Sequence, residues 1–540
     1  VPGEDEITLD TTVAGILRDA ARRTPDGLAL VEGVADPDRR RRWTYAELSA
    51  DAGRAAAALA ERFAPAERVA VWAPSVPEAL VLTYAAAMAG LVLVPVNPAL
   101  RADEVRHVLA RSGAAGVFLV RAYRDHDLTA TLDTVRADLP ALREVVDLSR
   151  FDEFCAHTGE WNPAAPGAGD PVPGRAVGPD DIAQLVFTSG TTGAPKGARL
   201  THRGMTNAAR TGAARFGMRP GDVYVHTMPL FHVGGQVVAF QLCQASAAAV
   251  LVPAFEPGLV LELVESERAT LTCGVPTMLL ALIEHPDFAR RDLSSLRAVS
   301  GGGAVVPGEL VRHIEDALGV RFAIVFGQTE ASGFISQTFL DDDAEDKGAT
   351  LGVPLPGVSA RVVDPDTGHV VACGTVGELE VRGPNVMAGY HDLPEETAAT
   401  LRPGGWLRTG DLVTMDGRGY LRMAGRLKEM IVSGGENIFP VEIEGVLAGH
   451  PDVAQAAVVG VPDRRWGEAA VAVVRPAPGR SPDAGALEAF LRERLAPFKV
   501  PRRWVFVEGL PLTASGKVQK HVLRARLAAG DGPDGLPGFR

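Results

Sequence analysis

The stretch Thr188-Ser-Gly-Thr-Thr-Gly-Ala-Pro-Lys196-Gly197 decides how the chain is read. An apolar run before it, Leu185-Val186-Phe187, reads as a buried strand, and a helix-like segment starts near Thr201. Glycines such as Gly190 leave the backbone free to take dihedrals that a Cβ forbids. Thr188, Ser189, Thr191 and Thr192 add hydroxyls, and Lys196 adds a point charge. With its free N–H groups such a loop suits a polyphosphate. A plain surface turn has the same composition, so the loop alone leaves both readings open. The common nucleotide-binding P-loop is excluded. It needs Gly, four residues, then Gly-Lys-Ser/Thr, whereas Lys196 follows Pro195 and precedes Gly197.

Bulk properties narrow the setting. A chain of 540 residues exceeds one ordinary core, so two or more domains are expected. Lys plus Arg is 54 against Asp plus Glu at 67, a formal net charge of −13. That balance argues against broad nucleic-acid binding. Cys155, Cys243, Cys273 and Cys373 are far apart without metal-ligand spacing, and read as reduced, buried thiols of a cytoplasmic protein. The acidic start Val1-Pro-Gly-Glu-Asp-Glu has no apolar signal core. The uncharged run 79–100 is long enough to span a bilayer. Its alanine-rich first half, Gly90 and Leu91-Val-Leu-Val-Pro-Val96 instead predict a buried helix followed by a buried parallel strand, and no membrane span.

Helical and strand patterns alternate from about Thr11 to Val120: a helix over 13–22, strands over 28–32, 68–72 and 116–120, and a helix opened by the capping-box spacing Thr44-Tyr-Ala-Glu47. This predicts parallel α/β layers. Residues 162–178 read as a Pro- and Gly-rich surface loop. From 349 to 424, short alternating runs between Gly-rich turns predict a small β-barrel. After Gly425 a compact α+β lobe is expected, and the tail from Gly530 reads as disordered.

Three further constellations carry chemistry. Phe326-Gly327-Gln328-Thr329-Glu330 follows an apolar run and places a hydroxyl and a carboxylate where open α/β sheets bind ligands; hard carboxylate oxygen suits Mg²⁺. Leu407-Arg-Thr-Gly-Asp411 presents a carboxylate after a tight turn, able to accept both hydroxyls of a ribose. Pro511-Leu-Thr-Ala-Ser-Gly-Lys517 puts a lysine on a Gly-containing loop. A strand-end turn, an Asx turn and a solvated lysine are the plain alternatives.

In this order, with the loop at Thr188, the motifs resemble the signature of the adenylate-forming superfamily: acyl-CoA synthetases, peptide-synthetase adenylation domains and luciferases. The resemblance runs from about Thr11 to Leu527. It implies an α/β fold with a large N-terminal domain of two α/β subdomains plus the small β-barrel over 1–425. A hinge over 426–428 and a small mobile α+β lid domain over 429–529 complete it. It implies that Phe326 flanks adenine, Thr329 touches the α-phosphate and Glu330 holds Mg²⁺. Gly303 joins the nucleotide site, Asp411 binds ribose, and Arg426 contacts ribose or phosphate. Lys428 is the hinge, and Lys517 bridges the substrate carboxylate and the α-phosphate. Ser433-Gly434-Gly435 would line the path of coenzyme A, and His232 would gate it; Trp466 and Phe498 read equally as contacts of coenzyme A and as core packing. Two positions depart from the pattern: Phe326 stands where Tyr is usual and Lys520 where Arg is frequent.

The reaction implied is ATP-dependent activation of a carboxylic acid to an acyl-adenylate, then transfer to the thiol of coenzyme A. Val233, Gly235, Phe240, Met278, Gly301, Gly302, Ala331 and Phe334 are expected pocket walls, apolar and partly small. No Asp in these segments stands out to bind an α-amino group, which favours an aromatic or medium-chain acid. A stand-alone adenylating enzyme serving a carrier protein is the alternative, and a homodimer is left open.

Overall fold

The computed structural model describes residues 8–156, 172, 175–188, 195–302, 306–433, 436–463, 465–512 and 518–528. Four sheets of five or more strands organise them. The largest has six neighbouring parallel strands, from Leu28–Glu32 at one side to Arg321–Phe326 at the other, with short antiparallel strands closing its edges. In the second, Ile182–Thr188, Val92–Val96, Arg68–Trp72, Gly116–Leu119 and Glu144–Asp147 run parallel. One buried cluster runs from one sheet to the other through the helices Tyr45–Arg62, Pro77–Met88, His202–Arg215 and Val233–Ala245. Separate clusters cover each sheet's other face. Parallel strands covered on both faces must be apolar on both faces, which is why Val92–Val96 is buried at every residue.

The uncharged run is therefore a helix, Pro77–Met88, and a strand, Val92–Val96, with Gly90 (φ +66°) turning between them. Among the described residues no helix is long and apolar enough to cross a membrane. The capping box forms as read: the Thr44 hydroxyl accepts from Glu47 N–H, and the Glu47 carboxylate accepts from Thr44 N–H at 2.8 Å. The sequence reading missed the strand Lys196–Thr201, which doubles back antiparallel on Ile182–Thr188 before Thr201 caps the next helix. Its pattern is too polar at Lys196 and Arg199 to stand out as a strand.

The small antiparallel unit differs in detail from a barrel. Ser359–Val363, Gly377–Arg382, Trp406–Met415, Leu401–Arg402 and Leu421–Arg426 form one sheet, and no pair among the described residues joins its outer strands. Asp411 lies within the ten-residue strand Trp406–Met415 rather than after a tight turn; Gly410 (φ +71°) and a register shift supply the local bend. Past Arg426 the chain enters a fourth sheet, from Ile431–Ser433 onward, with its own buried clusters. The four cysteines are free, but only Cys243 and Cys273 are buried. Cys373 is exposed because it sits in a turn, its thiol donating to the Met415 carbonyl at 3.1 Å.

Two buried histidines couple the large lobe's stability to pH. His202 Nδ1 accepts from Val13 N–H at 3.2 Å, and His226 Nε2 lies 3.0 Å from the Gly235 carbonyl. Burial pushes both from 6.5 down to about 4. The unfolded chain therefore takes up these protons first, so their contribution is complete above pH 6.5 and is lost as pH falls toward 4. Going from about pH 7 to about pH 5 is expected to cost about 2 kcal/mol per histidine. Urea midpoints at the two pH values read this directly; equal midpoints would contradict it.

Candidate active site

The C-terminal ends of Val92–Val96 and Ile182–Thr188 in one large sheet and of Arg321–Phe326 in the other reach one cleft of about 2440 Å³, which residues of the C-terminal lobe also line. Thr188, Lys196, His232, Val233, Phe326 to Glu330, Arg426 and Lys428 all line it. Segments far apart in sequence thus meet where open α/β sheets bind ligands.

The ends of the Thr188 loop are fixed by the hairpin. Thr188 pairs with Lys196 across the strands, and the Thr188 hydroxyl donates to the Lys196 carbonyl at 3.4 Å. His107, from the helix Ala102–Ser112, places Nε2 3.0 Å from the Pro195 carbonyl. Ser189, Gly190, Thr191 and Thr192 lie outside the described residues, as do Gly303, Gly434, Gly435 and Lys517.

The strand Arg321–Phe326 ends at Phe326, and Thr329 and Glu330 sit on a short 3-10 turn rather than on the strand itself. Close approach demands Gly327: a Cβ there would stand 2.1 Å from the Gly333 carbonyl oxygen. The turn is pinned from outside, since Met387 N–H donates to the Glu330 carbonyl at 2.8 Å and the Ser332 hydroxyl donates to the Asn385 carbonyl at 2.8 Å. Gln328 lines the cleft and its buried Nε2 has no hydrogen-bond partner among the described residues. A buried donor without a partner is costly, so a ligand acceptor is its natural complement.

Tyr390 was not foreseen. Its hydroxyl donates to Glu330 Oε1 at 2.8 Å, and the Lys196 ammonium lies 5.4 Å from its ring centroid. Backbone pairing delivers it there: Ala198 bridges Tyr390, and His391 N–H donates to the Gly197 carbonyl at 2.8 Å. Burial, then the Glu330 charge, raise the phenol far above its ordinary range, so it stays a donor. Nothing local in Gly389-Tyr390-His391 announces the role; it arises from the edge pairing.

Asp411 is 1 % exposed and stands opposite Arg426 on adjacent strands, its Oδ1 2.9 Å from Arg426 Nε. Thr409, Gly410 and Arg426 line the cleft, whereas Asp411 itself is not among the lining residues. Glu378 backs this corner, binding Arg408 at 2.6 Å and accepting from Gly410 N–H at 3.2 Å. His232 caps the helix Val233–Ala245, its Nδ1 accepting from Gly234 N–H at 3.1 Å. In the neutral ring this leaves the proton on Nε2. Lys428 is in the turn after Arg426. Trp466 lies apart from the cleft lining, with Arg502 4.1 Å from its ring centroid.

The expected pocket walls divide. Val233 lines the cleft, joined by Phe231, Val275, Pro276, Leu280 and Ile324. Phe240 is instead fully buried against Tyr84, at a ring separation of 6.0 Å. Ala331 and Phe334 point into the core, whereas Gly333 between them reaches the cleft, because Ser332 (φ +50°) and Gly333 (φ +83°) rotate the chain. Gly235 packs in its helix where a Cβ would meet the Pro229 carbonyl at 2.1 Å, and Gly301 faces Phe322. Met278 and Gly302 are half-buried and outside the lining.

One carboxylate fits Mg²⁺ in this setting. Among the described residues no cluster of three or more metal-ligating side chains exists. Mg²⁺ keeps several waters and binds through one or two carboxylates plus substrate phosphates. Glu330, oriented by Tyr390, whose ring the Lys196 ammonium approaches to 5.4 Å, meets that requirement.

Comparison with known proteins agrees with the geometry. Residues 17–391 match the AMP-binding enzyme family, and 442–517 match the AMP-binding enzyme C-terminal domain. The chain is 40 % identical to a feruloyl-CoA synthase from an Amycolatopsis species, over 89 % of this chain and 94 % of that one. It is 39 % identical to an indoleacetate–CoA ligase of Aromatoleum aromaticum, over 90 % and 93 %. ATP-bound MatB from Rhodopseudomonas palustris superposes with a TM-score of 0.85 at 31 % identity, over 96 % and 99 %.

Proposed function

The chain belongs to the AMP-binding enzyme family and is an ATP-dependent acid–CoA ligase, and from that premise we propose that its acid is a bulky apolar carboxylate, aromatic in the first instance. The observation that carries this is the apolar cleft wall of Phe231, Val233, Val275, Pro276, Leu280 and Ile324 beside the Glu330 turn. These six positions carry no carboxylate, and Glu284 and Glu309 are lining residues of the same cleft. The two relatives described above carry the names of aromatic acids, ferulate and indoleacetate.

A carboxylate and ATP repel each other, and the carboxylate is a weak nucleophile. The site's task is to cancel charge and align a carboxyl oxygen with the α-phosphorus. In our reading the Thr188 loop and Lys196 cradle the β- and γ-phosphates, Phe326 covers adenine, and Gln328 donates its orphan N–H to the nucleotide. Thr329 contacts the α-phosphate, and Asp411 with Arg426 holds the ribose. Glu330 would hold Mg²⁺, which supplies positive charge to the phosphates when bound. Lys517 bridges the two reacting groups. The carboxyl oxygen bonds to phosphorus and pyrophosphate leaves with the electron pair. The thiol of coenzyme A then attacks the acyl carbon and AMP departs. Rotation of the C-terminal lobe about Lys428 would exchange the Lys517 loop for the Gly434–Gly435 face between the two steps.

Purified protein with ATP and Mg²⁺ should release pyrophosphate with ferulate, indole-3-acetate and octanoate, the aromatic acids giving the higher kcat/KM by about tenfold, and phenylalanine giving none. Adding coenzyme A should accelerate turnover and yield the thioester. A preference for phenylalanine would overturn the proposed acid class; adenylate release with no effect of coenzyme A would point to a carrier protein as acceptor.

A further inference from the structure

Lys520, in the first turn of the last helix (Lys520–Ala528), is a half-buried cation held between two carboxylates. Its Nζ lies 2.8 Å from Glu429 Oε2, 2.8 Å from Glu444 Oε1 and 3.1 Å from Glu444 Oε2. Glu444 projects from the helix Pro440–Ala448 and also accepts from Val458 N–H at 2.6 Å. Three separate parts of the C-terminal lobe are therefore tied to Glu429, the residue immediately after Lys428. On the other side of Lys428, Arg426 is paired with Asp411 across two strands of the large lobe, and Leu427 N–H donates to the Gly410 carbonyl at 2.9 Å.

We infer that these two ion-pair groups bracket the turn and confine rotation of the lobe to Leu427 and Lys428, with Lys520 acting as a positioning residue through Glu429. A chain segment turns as a sharp pivot only when both flanks are held rigidly; otherwise the dihedral change spreads along the segment and the lobe's orientation blurs. Arg426 is held on the large lobe by its carboxylate partner. Glu429 is held on the small lobe by a cation that it shares with Glu444. Between them, backbone bonds from Glu429 N–H and Met430 N–H to the Arg426 carbonyl, at 2.9 and 3.0 Å, cross the pivot. Those are the bonds a rotation must break. Withdrawing Lys520 from water beside two carboxylates gives little stability by itself, and a rigid hinge flank gives it a purpose.

The pivot deepens the ligase reading, and its test keeps the two separable. Lys520→Met combined with Glu444→Gln removes a cation and an anion together. The amide carbonyl introduced at position 444 can still accept from Val458 N–H, so the lobe is expected to fold. In this double variant the amides of residues 429–431 should exchange hydrogen about tenfold faster than in wild type. The kcat of the complete reaction should fall about tenfold, with KM for ATP within about twofold, because the adenine, ribose and magnesium contacts proposed above are all on the large lobe. Lys520→Arg, which keeps both ion pairs, should behave as wild type in both readouts. Unchanged exchange at 429–431, or kcat and KM shifting together with the melting temperature, would overturn the bracketed pivot. Absence of any acid-dependent pyrophosphate release in the wild type would instead sink the ligase reading, while the exchange measurement would still decide the clamp.

Discussion

Replacing Lys517 by Ala is expected to slow ATP-dependent adenylation by about a thousandfold, the upper range for losing one charged group aimed at a developing transition state, while thioester formation from supplied acyl-adenylate stays within about threefold of wild type. The stem of the lysine loop stands on the cleft wall: Leu512 bridges Val518, Gln519 N–H donates to the Pro511 carbonyl at 2.8 Å, and Val518, Gln519 and Lys520 line the cleft. A cation carried on that stem can neutralise repulsion between the acid and the α-phosphate only during the first half-reaction. In the second, the mixed anhydride already exists and the attacking group is a thiol. Pyrophosphate exchange measures the first step and thioester release the second. Equal losses in both would end the division of labour proposed for the C-terminal lobe.

Glu330→Gln is expected to reduce pyrophosphate exchange by about a hundredfold and to raise the magnesium concentration for half-maximal rate by about tenfold. The substituted amide keeps an acceptor for the Tyr390 hydroxyl, and the Glu330 backbone contacts through Met387 and the turn remain. The change therefore removes one negative charge and little packing. Tyr390→Phe keeps that charge but frees the carboxylate to rotate, and a smaller loss of the same kind is expected. Magnesium titrations of the three proteins, with nucleotide binding measured separately by fluorescence, distinguish a metal role from general damage. A magnesium dependence identical in wild type and Glu330→Gln would remove Glu330 from that role.

The family was legible because its motifs are local strings. A glycine- and hydroxyl-rich loop, a carboxylate ending Phe326–Glu330 and a late lysine loop each carry their chemistry in consecutive residues. The periodicity of the α/β layers was equally local: apolar runs such as Val92–Val96 announce burial on both faces. What could not be read was which side chains the tertiary packing turns inward. Phe240 and Phe334 are apolar, lie in the right segments and still face the core. Gly333 faces the cleft because a left-handed turn at Ser332 rotates it there.

The linear order of residues was sufficient for the class of chemistry, since phosphate cradles, ring stacking and carboxylate–metal contacts need particular functional groups at short spacing. Only the folded chain decided which distant groups meet. Tyr390 reaches Glu330 by pairing with the edge strand Lys196–Thr201, His107 reaches the Pro195 carbonyl from a neighbouring helix, and Lys520 reaches back to Glu429. The physical reason is that hydrogen bonds and ion pairs act over a few ångströms in space, whereas sequence separation constrains proximity only within a turn or a strand pair.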